Sequence, residues 1–177
     1  MKLLLIAPIA MLAMASATGQ ATAGTDVRYQ TAQGGVVCKG TDPTLNTALK
    51  AKATGFRNEG TSGAFIVCGM ESSNSRSDTG TIQVMRLGLY SLNNIATPVN
   101  CTAVNGYIAS NPLYKTRTVT TKTDGTAVLV QFDASDFGGT AGEPLANNDY
   151  WSITCSLPAK TSVGFMATQF TVNTPGN

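Results

Sequence analysis

Tyr150-Trp151-Ser152-Ile153-Thr154-Cys155-Ser156-Leu157 is the stretch on which the fold turns. Trp151, Ile153, Cys155 and Leu157 share one parity; Ser152, Thr154 and Ser156 share the other. Successive side chains of a strand point to opposite faces, so this pattern is a strand with one face in a core and one toward water. The parity predicts Trp151 in the core against a disulfide and Tyr150, one residue earlier, pointing outward.

The same reading extends in both directions. Residues 115–122 alternate polar and β-branched positions, Thr123-Asp124-Gly125-Thr126 supplies a type I′ hairpin turn, and residues 127–132 return with Val128, Val130 and Phe132 on one face. Val99, Cys101 and Ala103 alternate with Asn100 and Thr102; Asn105-Gly106 then marks a tight turn with Tyr107 and Ile108 returning. Residues 81–92 form a long strand whose apolar parity changes midway, which a bulge near Arg86 or Gly88 reconciles. Residues 64–70 are apolar on both faces, as in a central strand. Residues 27–33, 35–39 and 162–172 complete the set. One short helix is predicted: Asp42-Pro43 supplies its N-cap and first position, Leu45, Ala48, Leu49 and Lys52 fall at helical spacing, and Gly55 closes it. Eight or nine short strands with at most one short helix define an all-β antiparallel β-sandwich, jelly-roll or immunoglobulin-like.

The N-terminus predicts export. Met1-Lys2 precedes an apolar run over residues 3–15, and small-x-small sites follow at Ala15-Ser16-Ala17 and Ala21-Thr22-Ala23. The run fits a signal peptide and falls short of the ~20 residues that span a bilayer. Cleavage after Ala23, preferred over Ala17, gives a signal peptide over 1–23 and a single domain over 24–177, secreted or periplasmic, with no membrane insertion. Four cysteines remain: Cys38, Cys68, Cys101 and Cys155. An even count in an exported protein reads as disulfides. Three connectivities are open, of which Cys38–Cys68 with Cys101–Cys155 is favoured.

Charge and residue types exclude several chemistries. The chain has 12 basic and 10 acidic residues, a net charge of +2, and only 12% charged residues against about 25% in an average domain. It offers no basic footprint for nucleic acid. There is no histidine, which removes Ser-His-Asp and Cys-His catalysis in their usual forms and histidine-ligated metal sites. The acids Asp133, Asp136, Glu143 and Asp149 cluster around one Gly-rich stretch. They could serve a carboxylate-based glycosidase, or Asp133, Asp136 and Asp149 could hold Ca²⁺ through oxygen ligands; solvated loop acids are the plainer expectation, with no cofactor. Tyr107, Tyr114 and Tyr150 are candidates for a sugar-stacking platform, against ordinary packing. Arg57, Arg76, Arg86, Lys115, Arg117 and Lys122 could form a partner-binding patch, against simple protection of sheet edges.

Three segments carry a resemblance. Gly55-Phe56-Arg57-Asn58 precedes a Ser/Thr-rich turn and Ala64-Phe65-Ile66-Val67-Cys68; Val99-Asn100-Cys101-Thr102-Ala103-Val104 is the second; Cys155-Ser156-Leu157-Pro158 with Ser162-Val163 ends the third. Together they resemble a group of small secreted proteins of Gram-negative bacteria with a signal peptide, a Gly-x-x-Asn turn before a cysteine-bearing strand, and a late Cys-x-Leu-Pro segment. The resemblance spans residues 36–172 and departs at Gly69-Met70, where Cys-Pro is expected after Cys68. It implies a secreted, disulfide-stabilised β-domain and transfers no activity or site residue. The functional expectation is a non-enzymatic binding or surface module with a glycan or protein partner. Glycan binding on a sheet face comes first, and strand exchange with a neighbour through residues 27–33 second. The alternatives are a carboxylate-based glycoside hydrolase and an inhibitor of a secreted hydrolase that inserts residues 72–79.

Overall fold

The computed structural model describes residues 24–42, 44, 46–70, 81–146 and 151–174. In chain order its elements are β1 (Gly24–Gln33), a one-turn helix α1 (Gly34–Val37), β2 (Cys38–Gly40), β3 (Leu49–Lys52), β4 (Gly55–Asn58), β5 (Ala64–Gly69), β6 (Thr81–Ser91), β7 (Pro98–Asn105), β8 (Leu113–Thr120), β9 (Val128–Asp133), β10 (Trp151–Leu157) and β11 (Thr161–Thr174). Short 3-10 turns occupy Ile108–Ser110 and Ala134–Phe137. One sheet, A, runs β3-β4-β11-β6-β9, with β1 paired to β11 beyond the end of β4; the other, B, runs β2-β5-β10-β7-β8. Every pairing is antiparallel. From β4 onward the chain deals its strands into β4-β11-β6-β9 and β5-β10-β7-β8. That interleaving is the double Greek key of a jelly roll, which decides between the two sandwich types.

The core lies between the sheets. Met85, Leu87, Val130, Phe132, Val163 and Met166 from sheet A meet Ile66, Val99, Ala103, Ile153 and Leu157 from sheet B. β10 alternates buried and half-buried positions along its whole length, and Trp151 is buried. Both disulfides take the favoured pairing, and all four cysteines are buried. Each joins directly opposed residues of one sheet, Cys38 with Cys68 on β2 and β5, Cys101 with Cys155 on β7 and β10. An immunoglobulin disulfide would instead cross between sheets.

Several local expectations give way to packing. Residues 34–37 are a helical turn, where a strand is expected over 35–39, because the Gly34-Gly35 backbone tucks against the body: a Cβ on Gly34 would lie 2.2 Å from the Val163 carbonyl oxygen. The helix expected after Asp42 is replaced by a side-chain turn, in which Asp42 accepts from the Thr44 backbone N–H (3.2 Å) and hydroxyl (2.7 Å), and by the β3–β4 hairpin. The apolar face of that segment is too thin to dock a helix, whereas pairing with β4 satisfies its backbone. β5 is not apolar on both faces in use: it lies next to the short edge strand β2, and Phe65 is exposed. The register shifts of the β6–β11 pair fall at Gln83 and Gly164, not at Arg86 or Gly88. After Asn105-Gly106 the chain makes a 3-10 turn and pairs again only from Leu113.

Residues 115–132 depart furthest from expectation. The Asp124-Gly125 turn joins β8 in sheet B to β9 in sheet A, so it is a corner and not a hairpin. Val130 and Phe132 need the core face beside β6, which the polar strand β8 cannot provide. Gly125 alone of the turn pair has positive φ (75°), so the type I′ geometry is absent. Asp124 accepts from the Thr126 hydroxyl (2.6 Å) and backbone N–H (2.8 Å). These two bonds, the hydroxyl first, hold its carboxyl below the usual carboxylate value. A depressed folded pKa stabilises above the unfolded value and stops doing so as pH falls through the folded one. In an NMR titration Asp124 protonates below an ordinary aspartate, and Thr126→Val moves its midpoint upward; an unchanged midpoint would remove the hydroxyl from this role.

Candidate functional site

The acids singled out by sequence hold a corner of the sandwich. Asp133 caps the 3-10 turn, accepting from the Ser135 N–H (2.9 Å) and hydroxyl (2.5 Å), while Asp136 reaches back to the Asp133 N–H (3.1 Å). This is a capping box built on two aspartates. The Asp136 side chain is 4% exposed and takes the Arg117 guanidinium at 2.6 Å, with the Lys115 ammonium at 3.8 Å. Arg117 also lies over the Phe132 ring, 5.8 Å from its centroid. Lys115 and Arg117 on β8 therefore tie the edge of sheet B to the turn that follows β9, a strap between the sheets. Glu143 is exposed in the following loop. No group of three or more His, Cys, Asp or Glu residues converges among the described residues. Asp149 and Tyr150, like the expected signal peptide over 1–23, residues 72–79 and Arg76, lie outside them.

Tyr107 and Tyr114 are both exposed, at one end of the outer face of sheet B. That face carries hydroxyls and amides in register: Thr118 donates to Asn100 (2.5 Å), Thr102 and Thr116 share a bond of 2.7 Å, and Ser152, Thr154 and Ser156 continue the rows. Phe65 stands at the opposite corner. The structure brings Tyr107 and Tyr114 to the same end of one sheet and brings neither to the acids.

The outer face of sheet A holds the most extended side-chain hydrogen-bond network around a cation among the described residues. Arg86, on β6, is half-buried. Its Nε donates to Gln131 Oε1 (2.7 Å) and its Nη2 to Gln169 Oε1 (3.2 Å), from the two flanking strands. Gln169 Nε2 is 3.4 Å from Gln83 Oε1, and Gln83 Nε2 donates to the Gly142 carbonyl at 2.7 Å. Two of five guanidinium N–H groups are used; the three others, and the charge itself, have no carboxylate partner among the described residues. Partial burial of a cation without a counter-ion is costly; the two glutamine carbonyls offset part of that cost and fix the fork in one orientation.

Apolar surface flanks this row on both sides. Phe165 lies across Gly88, where a Cβ would come within 2.3 Å of its ring, and Leu129 is exposed opposite. Tyr29, directly across from Gln169 on β1, is 62% exposed. Beyond Phe165 a depression of 240 Å³ opens, lined by Thr54, Arg57, Tyr90, Ser162 and Gly164. A larger cleft of 450 Å³ lies between the edges of the two sheets at β2 and β3, with Phe56 and Leu49 on its floor and Lys39 and Lys50 on its rim. Sequence reading reaches Arg86 only as one of six cations. Gln83, Gln131 and Gln169 are missed because nothing local marks them; their meaning comes from register.

The fold and this face define a jelly-roll module with a polar, aromatic-flanked sheet surface. No family model matches the chain, and no curated protein does. Among solved structures it is similar to a family 11 carbohydrate-binding module from Clostridium thermocellum in complex with a β-1,3-1,4-mixed-linked tetrasaccharide, with 10% identity over 85% of this chain and 87% of that one and a TM-score of 0.36. The family 11 module of a cellulosomal cellulase of that organism gives 10% identity over 94% and 95% and a TM-score of 0.35. A Mud crab tombus-like virus structure gives 9% over 100% and 93% and a TM-score of 0.36. Likeness at these scores carries no weight for function.

Proposed function

We propose that this chain is an exported, non-catalytic carbohydrate-binding module that takes its ligand on the outer face of sheet A. The observation that carries the reading is Arg86, oriented by Gln131 and Gln169 with three N–H donors that no described residue takes up, between the exposed Tyr29 and the Phe165 ring. Sugars offer vicinal hydroxyls to planar forked donors and an apolar ring face to aromatics, and this surface presents both. Export is supported by the N-terminal pattern and by the pairing of all four cysteines, which persists in oxidising compartments. No helix among the described residues is long and apolar enough to cross a membrane. A non-catalytic role is supported by the engagement of Asp133 and Asp136 in the capping box and the strap.

A polysaccharide retention assay on the full oxidised chain tests this. Arg86→Gln and Tyr29→Ala each weaken retention about tenfold or more, the loss of one charged hydrogen bond or one stacking ring. Tyr114→Ala, on the opposite sheet, leaves it unchanged. The reverse pattern moves the site to sheet B, and a folded protein retained by no polysaccharide overturns the proposal.

A further inference from the structure

Building on the carbohydrate reading, we infer that the ligand is a carboxylate-bearing polysaccharide, a polyuronate, laid across sheet A from Arg86 to Arg57. The charges of that face are lopsided. Register places Lys50, Lys52, Arg57 and Arg86 on it, with Asp133 the acid on its β9 edge. Asp133 turns its carboxylate to the Ser135 N–H and hydroxyl. None of the four cations makes an ion pair with a described residue; the ion pairs among the described residues belong to Arg28, Lys115 and Arg117. Sheet B differs: in the rows through Phe65, Ser156, Asn100 and Thr118, and through Val67, Thr154, Thr102 and Thr116, the one charged residue is Lys39, opposite Val67 on the edge strand β2. A chain with 12% charged residues has thus gathered on one face four cations that no described acid pairs.

The order of groups matches a polymer with an acid on each ring. Between Arg86 and Arg57 stand two aromatic rings, Phe165 over Gly88 and Tyr90 over Gly164, where a Cβ would fall 2.3 Å from the tyrosine ring. Strand spacing and rise put the two arginines about 17 Å apart on a diagonal, with the depression that Arg57, Tyr90 and Phe165 line between them. Cation, ring, ring, cation is the sequence that a run of pyranoses bearing carboxylates would meet. Carboxylate is favoured because a guanidinium with its fork held in place pairs with it in two parallel hydrogen bonds, which neutral hydroxyls cannot match in strength.

The test uses the full oxidised chain with polygalacturonate and alginate, with fully methyl-esterified polygalacturonate, with a neutral β-glucan and with duplex DNA. Binding to at least one polyuronate is expected. It weakens about tenfold or more in the esterified polymer and in Arg86→Gln, and it weakens in about 1 M salt, where the screening length is about 3 Å. Arg86→Lys, which keeps the charge and loses the fork, falls between, and Arg57→Gln at the exposed end gives an independent loss if Arg86 variants fold poorly. Equal binding of acid and ester overturns this inference and leaves the carbohydrate reading standing. Equal retention of DNA shows unselective attraction of polyanions and also overturns it. Binding to no polysaccharide overturns both.

Discussion

Replacing Cys101 and Cys155 together by alanine lowers the unfolding free energy by about 4 kcal/mol, and the pair Cys38 and Cys68 by about 3.5 kcal/mol. The basis is loop length. The bonds close segments with sequence separations of 54 and 30 residues, and the chain-entropy model assigns the longer loop the larger restriction of the unfolded state. Each pair sits opposite in a hydrogen-bonded ladder, with Cα atoms 4.1 and 4.0 Å apart, so the backbone around it is already in place without the bond. The loss therefore acts through the unfolded chain more than through the native one. Against a typical stability of about 5–15 kcal/mol it is a large fraction. Denaturant titration measures it: the midpoint falls steeply while the folded spectrum is retained. A larger loss for Cys38/Cys68 than for Cys101/Cys155 would show that native packing, not loop closure, dominates.

Gly34→Ala destabilises by about 3 kcal/mol, at the upper end for overpacking. Its Cβ would lie 2.2 Å from the backbone oxygen of Val163 and 2.9 Å from its carbonyl carbon, atoms that cannot swing aside as a side-chain tip can. Either β11 shifts at its register break or α1 lifts away and takes β1 with it. The second is the easier route, since none of the described side chains of β1 belongs to the core. Hydrogen exchange separates them: in Gly34→Ala the amides of β1 and of the β11 edge it covers lose protection first, while β10 and β7 keep theirs. Uniform loss across both sheets would sink this account of the hinge.

What the sequence made legible follows from where information is local. The parity of residues 151–157, the buried Trp151 and the strands at both ends of the chain are visible because one face is apolar and the period is two. The sheet partner of each strand is not written locally. Residues 115–132 have the pattern of a hairpin and the right turn residues, and only the demand of Val130 and Phe132 for a core beside β6 sends the two strands to different sheets. The same limit governs the site. Arg86 and Arg117 look alike in sequence, each within a strand. One finds Asp136 and becomes a strap; the other finds glutamines 45 and 83 residues away and keeps its charge open. Tyr107 and Tyr114 are legible only as candidate stacking aromatics weighed against ordinary packing; their exposure and their distance from Arg86 are matters of topology.

The pairing of β1 with β11 sets the order in which the molecule can be completed. Residues 24–33 pair with residues 165–174, so the first and last strands of the described chain meet as neighbours. β11 is also the spine of sheet A, flanked by β4 and β1 on one side and β6 on the other. Until the final strand has been made and delivered, β4 and β6 have no common partner, and β1 has none at all. Contacts this far apart along the chain close late and slowly, and the waiting edges are surfaces for mispairing. A truncation that stops before Thr161 thus removes the middle of a sheet, not its margin, and leaves the arm that carries Tyr29 with nothing to hold.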